Sequence, residues 1–167
     1  MGTTLNIRLW TDTDDVSALT EMLHRAYKPL ADMGLRFLAT HQNDTITRER
    51  VSAGKTFLGE VDGVVIATVT LVAPEDAGGC PWYDRPEVAS FGQLAVEPHL
   101  QKQGIAAKLL DLVEAEATAM GAAEIALDTS EEAHHLINYY AKRGYRFIEY
   151  TQWPDVNYRS VIMSKTL

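Results

Sequence analysis

The residues best placed to do chemistry lie in the run Gln93-Leu-Ala-Val-Glu-Pro-His-Leu-Gln-Lys-Gln-Gly-Ile-Ala-Ala107. An apolar strand runs into Pro98, and a polar turn containing Gly104 then opens a long helix. The first amide N–H groups of a helix lack carbonyl partners, and the helix dipole adds about half a positive charge at the same point. Such a turn suits a phosphate or pyrophosphate group. Gly104 and Ala106 carry almost no side chain, so a bulky phosphate can approach the backbone. The turn is neither GxxxxGKS/T nor GxGxxG, which removes two common nucleotide motifs. It reads Q-x-x-G-x-A across Gln101, Lys102, Gln103, Gly104, Ile105 and Ala106. Taken alone, the hexapeptide fits an ordinary strand-to-helix connection equally well.

Other chemistry-bearing residues are weaker signals. His134 and His135 are adjacent on a predicted helix, so they diverge and cannot form an i, i+4 metal pair. Cys80 is the only cysteine and sits in a Pro/Gly-rich loop, which fits a structural thiol better than a nucleophile. It also excludes an internal disulfide and suits a reducing cytoplasm. The net charge of −8 argues against a nucleic-acid backbone as partner. It mildly favours cationic acceptors such as amines. No apolar run approaches the ~20 residues of a membrane span, and the N-terminus shows no secretory pattern.

The elements that must position these residues follow from periodicity and punctuation. With 167 residues, 46% of them hydrophobic, the chain fits one domain covering 1–167. Leu5–Trp10 reads as a strand. Thr11 is a candidate N-cap for a helix with Val16, Leu19, Leu23 and Tyr27 on one stripe, which Pro29 ends or bends. The segment from Lys28 to Thr40 is mixed, and a short helix covers Thr45–Ala53. Thr56–Val61 and Val64–Val72 flank Asp62-Gly63, the favoured two-residue hairpin turn.

A loop leads to the strand Val88–Val96. The helix after the glycine turn presents Ile105, Leu109, Leu112, Val113, Ala117 and Met120, and Gly121 stops it. A strand at Glu124–Leu127 follows. Thr129-Ser-Glu-Glu132 reads as a capping box for a helix that ends at Gly144. Tyr145–Thr151 and Tyr158–Lys165 are the last strands. The order β-α-α-β-β-β-α-β-α-β-β predicts an α/β (α+β) fold, a mixed sheet with helices on its faces.

With these elements in place, the chain resembles the GNAT superfamily of acyl-CoA-dependent N-acyltransferases over essentially its whole length. The resemblance rests on four features in order: the Asp62-Gly63 hairpin, the Leu94-Ala-Val-Glu-Pro98 strand end, the Gln101–Ala106 turn, and Tyr140-Ala-Lys-Arg-Gly-Tyr145. It implies a GNAT-like fold that takes acetyl-CoA as cosubstrate. Leu94, Ala95 and Val96 would offer backbone groups to the pantetheine arm, and the amides from Lys102 to Ala107 would take the pyrophosphate. Asn138 is a further candidate for the cofactor, although it is out of register with the family's asparagine, whose position holds Ala133.

The chemistry so implied has two demands. A lysine-like amine of pKa ~10.4 must lose a proton before attack, at a cost of roughly 4 kcal/mol at neutral pH. The departing thiolate must gain one. Tyr140 matches the family's general acid, and its place beside Ala133, Leu136 and Ile137 also fits a core residue. Its neighbour Tyr139 points about 100° away on the helix.

The family's usual glutamate position holds Gln93, which cannot accept a proton. Asp128 is then either a water-relayed base or a simple strand-end residue. The implied reaction is direct transfer of an acetyl group to a primary amine of a small molecule or peptide. A non-catalytic acyl-CoA-binding or sensing domain is the alternative that Gln93 and Ala133 keep open. Acceptor selection is expected at Trp82–Asp84 and Tyr27–Phe37, and a homodimer is left open.

Overall fold

The computed structural model describes residues 4–167. Asp62 and Gly63 take φ of 53° and 76°, as a type I′ hairpin turn requires. The hairpin joins β2 (Lys55–Val61) to β3 (Val64–Val72). On its two sides lie β1 (Asn6–Leu9), paired with β2, and β4 (Val88–Val96), paired with β3, both antiparallel. Next come β5 (Glu124–Ser130), β7 (Ser160–Thr166) and β6 (Arg146–Thr151). Among the described residues the strands form one sheet of order β1-β2-β3-β4-β5-β7-β6, in which β4–β5 is the single parallel pair. Element order along the chain agrees with the sequence reading.

Helices cover both faces. α3 (Ile105–Ala119) buries Leu109, Leu110, Val113 and Ala117 against Phe57, Val69 and Phe91. α4 (His134–Lys142) adds Tyr140 to the same cluster. On the other face α1 (Val16–Asp32) and α2 (Asp44–Ser52) pack Leu19, Leu23 and Val51 against Leu58 and Ala95. The period-2 alternation of Phe57 and Leu58 thus feeds two separate cores.

Several local expectations are corrected. α1 is capped by Asp15, whose side chain accepts the Ala18 N–H at 3.0 Å, and not by Thr11. Pro29 does not end α1, which runs on to Asp32 with the proline inside it. The unsettled segment that follows holds a short 3₁₀ turn, Leu38–Thr40. The capping box at Thr129–Glu132 does not form. Thr129 and Ser130 instead extend β5 by pairing with Val161 and Ser160, and α4 starts at His134 behind Ala133. Strand pairing satisfies backbone groups that the cap would have left free. Asp128 therefore lies inside a strand, not at its end.

The feature that shapes the site is a bulge in β4. Thr68 pairs with Ala95 and Thr70 with Gly92, so Gln93 and Leu94 together face one residue of β3. Gln93 takes φ of 53° to make this possible. The extra residue reverses the alternation: Ala89 and Phe91 face α3 before the bulge, whereas Val96 does so after it and Ala95 joins the α1 side. The Tyr27 hydroxyl holds the bulge by donating to the Leu94 carbonyl at 2.9 Å.

α2 reaches β2 through Gly54, where a Cβ would lie 2.1 Å from the Leu71 backbone oxygen. Gly54→Ala should therefore push α2 away from β3 and lower stability by about 1–3 kcal/mol, the usual cost of overpacking. Chemical denaturation measures this directly, and an unchanged midpoint would contradict the close approach.

Candidate active site

β4 and β5 are bonded only from Val88–Ser90 to Glu124–Ala126. Beyond those pairs the strands part, and a cavity of about 590 Å³ opens between them. Phe91 to Val96 of β4 and Leu127 to Thr129 of β5 form its inner walls. Gln101 and Ala106 line one end, and Tyr27, Leu30, Phe37, Trp153 and Val156 line the other. Leu94, Ala95 and Val96 are thus brought to the parting, with the Val96 carbonyl accepting from the Gln101 side chain at 3.1 Å.

At the Gln101 end, the glycine turn has the form of an anion cradle. Lys102 and Gly104 take φ of 63° and 83°, and Gly104 caps α3 from the left-handed region. Lys108 donates to the Gly104 carbonyl at 3.1 Å, the first such bond of α3. The amides of Lys102, Gln103, Gly104, Ile105, Ala106 and Ala107 have no carbonyl partner outside α3, and the first four N–H groups of a helix have none inside it. A Cβ at Gly104 would meet no protein atom within 4 Å, so the turn is open on that side. Its glycine is required by backbone conformation rather than by crowding from the protein. Asn138 is exposed on α4 and lies outside the cavity lining.

Two of the expected proton carriers face the cavity. Tyr140 is 8% exposed, packed edge-on against Tyr139 and Tyr145 and tilted against Phe91. Its hydroxyl has no hydrogen-bond partner among the described residues, and burial holds its pKa far above the ordinary tyrosine value. The phenol therefore keeps its proton at any working pH. Asp128 lines the cavity and is exposed there by area, although the surrounding protein still desolvates its carboxyl group. Burial raises its pKa, while the Tyr83 hydroxyl, donating at 2.8 Å, and the charge of Arg50 oppose the shift. The Trp153 indole sits close enough to lower the pKa as well, but outside hydrogen-bond geometry.

Comparison with known proteins settles the family. A model described as Acetyltransferase (GNAT) family matches residues 16–145. The chain belongs to the GNAT acetyltransferase family. It is 32% identical over 133 residues to S-(2-succino)cysteine N-acetyltransferase of Bacillus subtilis, covering 78% of each chain. A second relative from Bacillus subtilis, S-alkylcysteine N-acetyltransferase, is 27% identical over 158 residues, with 92% of this chain and 85% of the relative covered. A GCN5-related N-acetyltransferase structure from Rhodopseudomonas palustris superimposes with a TM-score of 0.74 at 18% identity, over 100% and 99% of the two chains. A GNAT structure from Elizabethkingia anophelis with acetyl-CoA bound gives 0.68 at 16% identity, over 98% of both. As a GNAT acetyltransferase, this chain is an enzyme of the transferase class.

Within this GNAT fold, part of the cavity was not anticipated from sequence. Arg50, in the last turn of α2, projects into it, and burial lowers its pKa. Its Nη1 donates to Gln42 Oε1 at 2.8 Å, and Gln42 Nε2 donates to Gln93 Oε1 at 2.8 Å. Gln42 is fully buried and also donates to Thr47. Simple alternation would have left Gln93 beside Phe91 on the α3 side, and the bulge turns it toward Gln42. Nothing in the sequence flags Arg50, since a basic residue in a last helical turn also fits the dipole. Trp82 and Tyr83 stand outside the lining. Tyr83 works from behind by holding Asp128, and the Trp153–Val156 segment supplies the wall expected of them.

A raised aspartate pKa means that the charged form is penalised in the folded state above that pKa, and that the penalty vanishes below the ordinary value of 3.8. Asp128→Asn should therefore raise the thermal midpoint at neutral pH, and the gain should shrink as pH falls through this window. A midpoint lowered at pH 7 would show that the Tyr83 bond and the Arg50 charge outweigh burial.

Proposed function

We propose that this GNAT enzyme transfers the acetyl group of acetyl-CoA to the primary amine of a small amino-acid acceptor of the S-substituted cysteine type. The observation that carries the reading is the single cavity between β4 and β5, which runs from the Gln101–Ala107 turn to Asp128, Tyr140 and an apolar end. In this reading the pyrophosphate lies on the amides of Lys102 to Ala107 and the pantetheine arm follows Leu94 to Val96. The thioester then reaches the parting of the strands. The two cysteine-derivative acetyltransferases among its relatives support the acceptor class. Leu30, Phe37, Leu38 and Val156 offer an apolar wall for the sulfur substituent.

The acceptor enters as an ammonium ion. Asp128 takes one proton from it, directly or through a water, and its raised pKa improves the match to this task. The neutral amine attacks the thioester carbonyl, a C–N bond forms and the C–S bond breaks. Tyr140 gives its phenolic proton to the departing thiolate. The nitrogen loses a second proton as the amide forms, so the tyrosine is restored and one proton in total passes to solvent. Gln93 takes no part in proton transfer, because a carboxamide has no basic site near neutral pH.

Thiol release from acetyl-CoA, measured over a panel of S-substituted cysteines, other amino acids and peptides, tests the acceptor class. The expectation is fastest turnover with the thioether amino acids. Preference for a peptide N-terminus would overturn it. Tyr140→Phe keeps the ring and its packing, so it should lower kcat about 10²–10⁴-fold while costing about 1 kcal/mol or less of stability. Asp128→Asn should flatten the ascending limb of the kcat/KM–pH profile. Wild-type kcat in Tyr140→Phe would return that residue to the core and leave thiolate protonation to solvent.

A further inference from the structure

We infer that Arg50 and Gln93 form a carboxylate-binding site, so that the enzyme reads its acceptor as a zwitterion; this deepens the amino-acid reading above and rests on it. Two observations carry the inference independently of the relatives. Gln93 is only 4% exposed, and its amide nitrogen has no hydrogen-bond partner although it is buried. Leaving such a donor unpaired costs free energy, so a bound acceptor atom is the natural partner for it. Arg50 lines the same cavity and has a single hydrogen-bond partner among the described residues, the neutral Gln42 side chain. No carboxylate forms an ion pair with it among those residues. A guanidinium held in a cavity without an anion leaves most of its donor fork free, and that fork matches a carboxylate in two-point geometry.

The two donors are held together. Gln42 accepts from Arg50 with its oxygen and donates to the Gln93 oxygen with its nitrogen, so one buried amide orients both. This fixes the Gln93 amide with its oxygen used and its NH₂ free. Arg50 Nη2 also lies 3.8 Å from where a Cβ on Gly92 would stand, next to the β4 bulge. A larger residue at 92 would fill the space between the guanidinium and the strand.

The charges fit a zwitterion. Among the lining residues Arg50 is a cation that no carboxylate pairs, and Asp128 is the carboxylate close enough for each to influence the other's ionisation, whereas the second carboxylate, Asp155, belongs to the Trp153–Val156 wall. An α-amino acid brings a carboxylate to the Arg50 side and an ammonium group to the Asp128 side, with one carbon between them. Its side chain is then left facing the apolar end of the cavity at Leu30, Phe37 and Val156. A simple amine would satisfy Asp128 and leave Arg50 and the Gln93 nitrogen unpaired.

The test compares matched acids and decarboxylated amines: S-propyl-L-cysteine against S-propylcysteamine, and L-phenylalanine against phenethylamine. Thiol release gives kcat/KM for each in the wild type, Arg50→Met and Gln93→Glu. The wild type should favour the acid of the better pair by roughly 10–100-fold, the worth of hydrogen bonds to a charged group. Arg50→Met should collapse that ratio toward one, mainly by raising KM for the acid. Gln93→Glu keeps the bond from Gln42 but replaces the free NH₂ with a negative oxygen, so it should also reduce the ratio. Thermal midpoints of both variants establish that they fold.

Preference for the decarboxylated amines in the wild type, or a ratio unchanged by Arg50→Met in a folded protein, would overturn the carboxylate site. Absence of turnover with both pairs would overturn it as well. A strong acid preference with phenylalanine alone would leave the carboxylate site standing and remove the thioether acceptor instead.

Discussion

Everything at this site depends on the parting of β4 from β5 after three residue pairs. In a fully bonded parallel pair, the backbone of Phe91 to Val96 would be spent on the ladder, and no cavity would exist in the middle of the sheet. Two devices keep the strands apart. The bulge at Gln93 and Leu94 bends β4 and reverses its side-chain alternation. The Tyr27 hydroxyl, from the helix above, occupies the Leu94 carbonyl. The sheet remains continuous because β5 is held on its other side along its whole length by β7.

The same bend decides which side chains face the opening. It moves Gln93 from the α3 side, where its neighbours Ala89 and Phe91 lie, toward Gln42 and α2. Across the gap on β5, Asp128 lines the same cavity. Polar groups in such a place are costly unless paired. Tyr83 pairs with Asp128 and Gln42 with Gln93, and each of those partners is itself buried and fixed by tertiary contacts. Among the groups left over are the Arg50 fork, the Gln93 nitrogen and the Tyr140 hydroxyl. Each is of a type that can act on a bound molecule.

Charge at the scale of the whole chain and charge at the site point in different directions. A net charge of −8 favours cationic acceptors, yet the cavity contains Arg50. Surface charge acts through solvent and is screened over about 10 Å, whereas a buried guanidinium acts at contact distance in a less polar medium. The composition therefore bears on encounter and solubility, and the cavity bears on which amine is held.

The sequence alone determined the parts whose causes are local. Asp62-Gly63 needs two positive φ angles in a row, and the hairpin follows from the residues themselves. Gly104 after a polar turn announces a helix N-terminus, and the free amides from Gly104 to Ala107 follow from helix geometry. Apolar periodicity was enough to order eleven strands and helices. The failures were also local signals, overridden from a distance. Thr129-Ser-Glu-Glu132 has the pattern of a capping box, but β7 lies beside it and pairing prevailed.

Tertiary structure decided the rest. Gln93 looks like a lost base in sequence, and becomes an oriented donor only when Gln42, 51 residues away, takes its oxygen. Arg50 looks like a surface cation at a helix end until α2 is laid over the gap in the sheet. Hydrogen bonds and burial between residues distant in the chain have no periodic trace in it, because they depend on how helices dock and not on how any one of them forms.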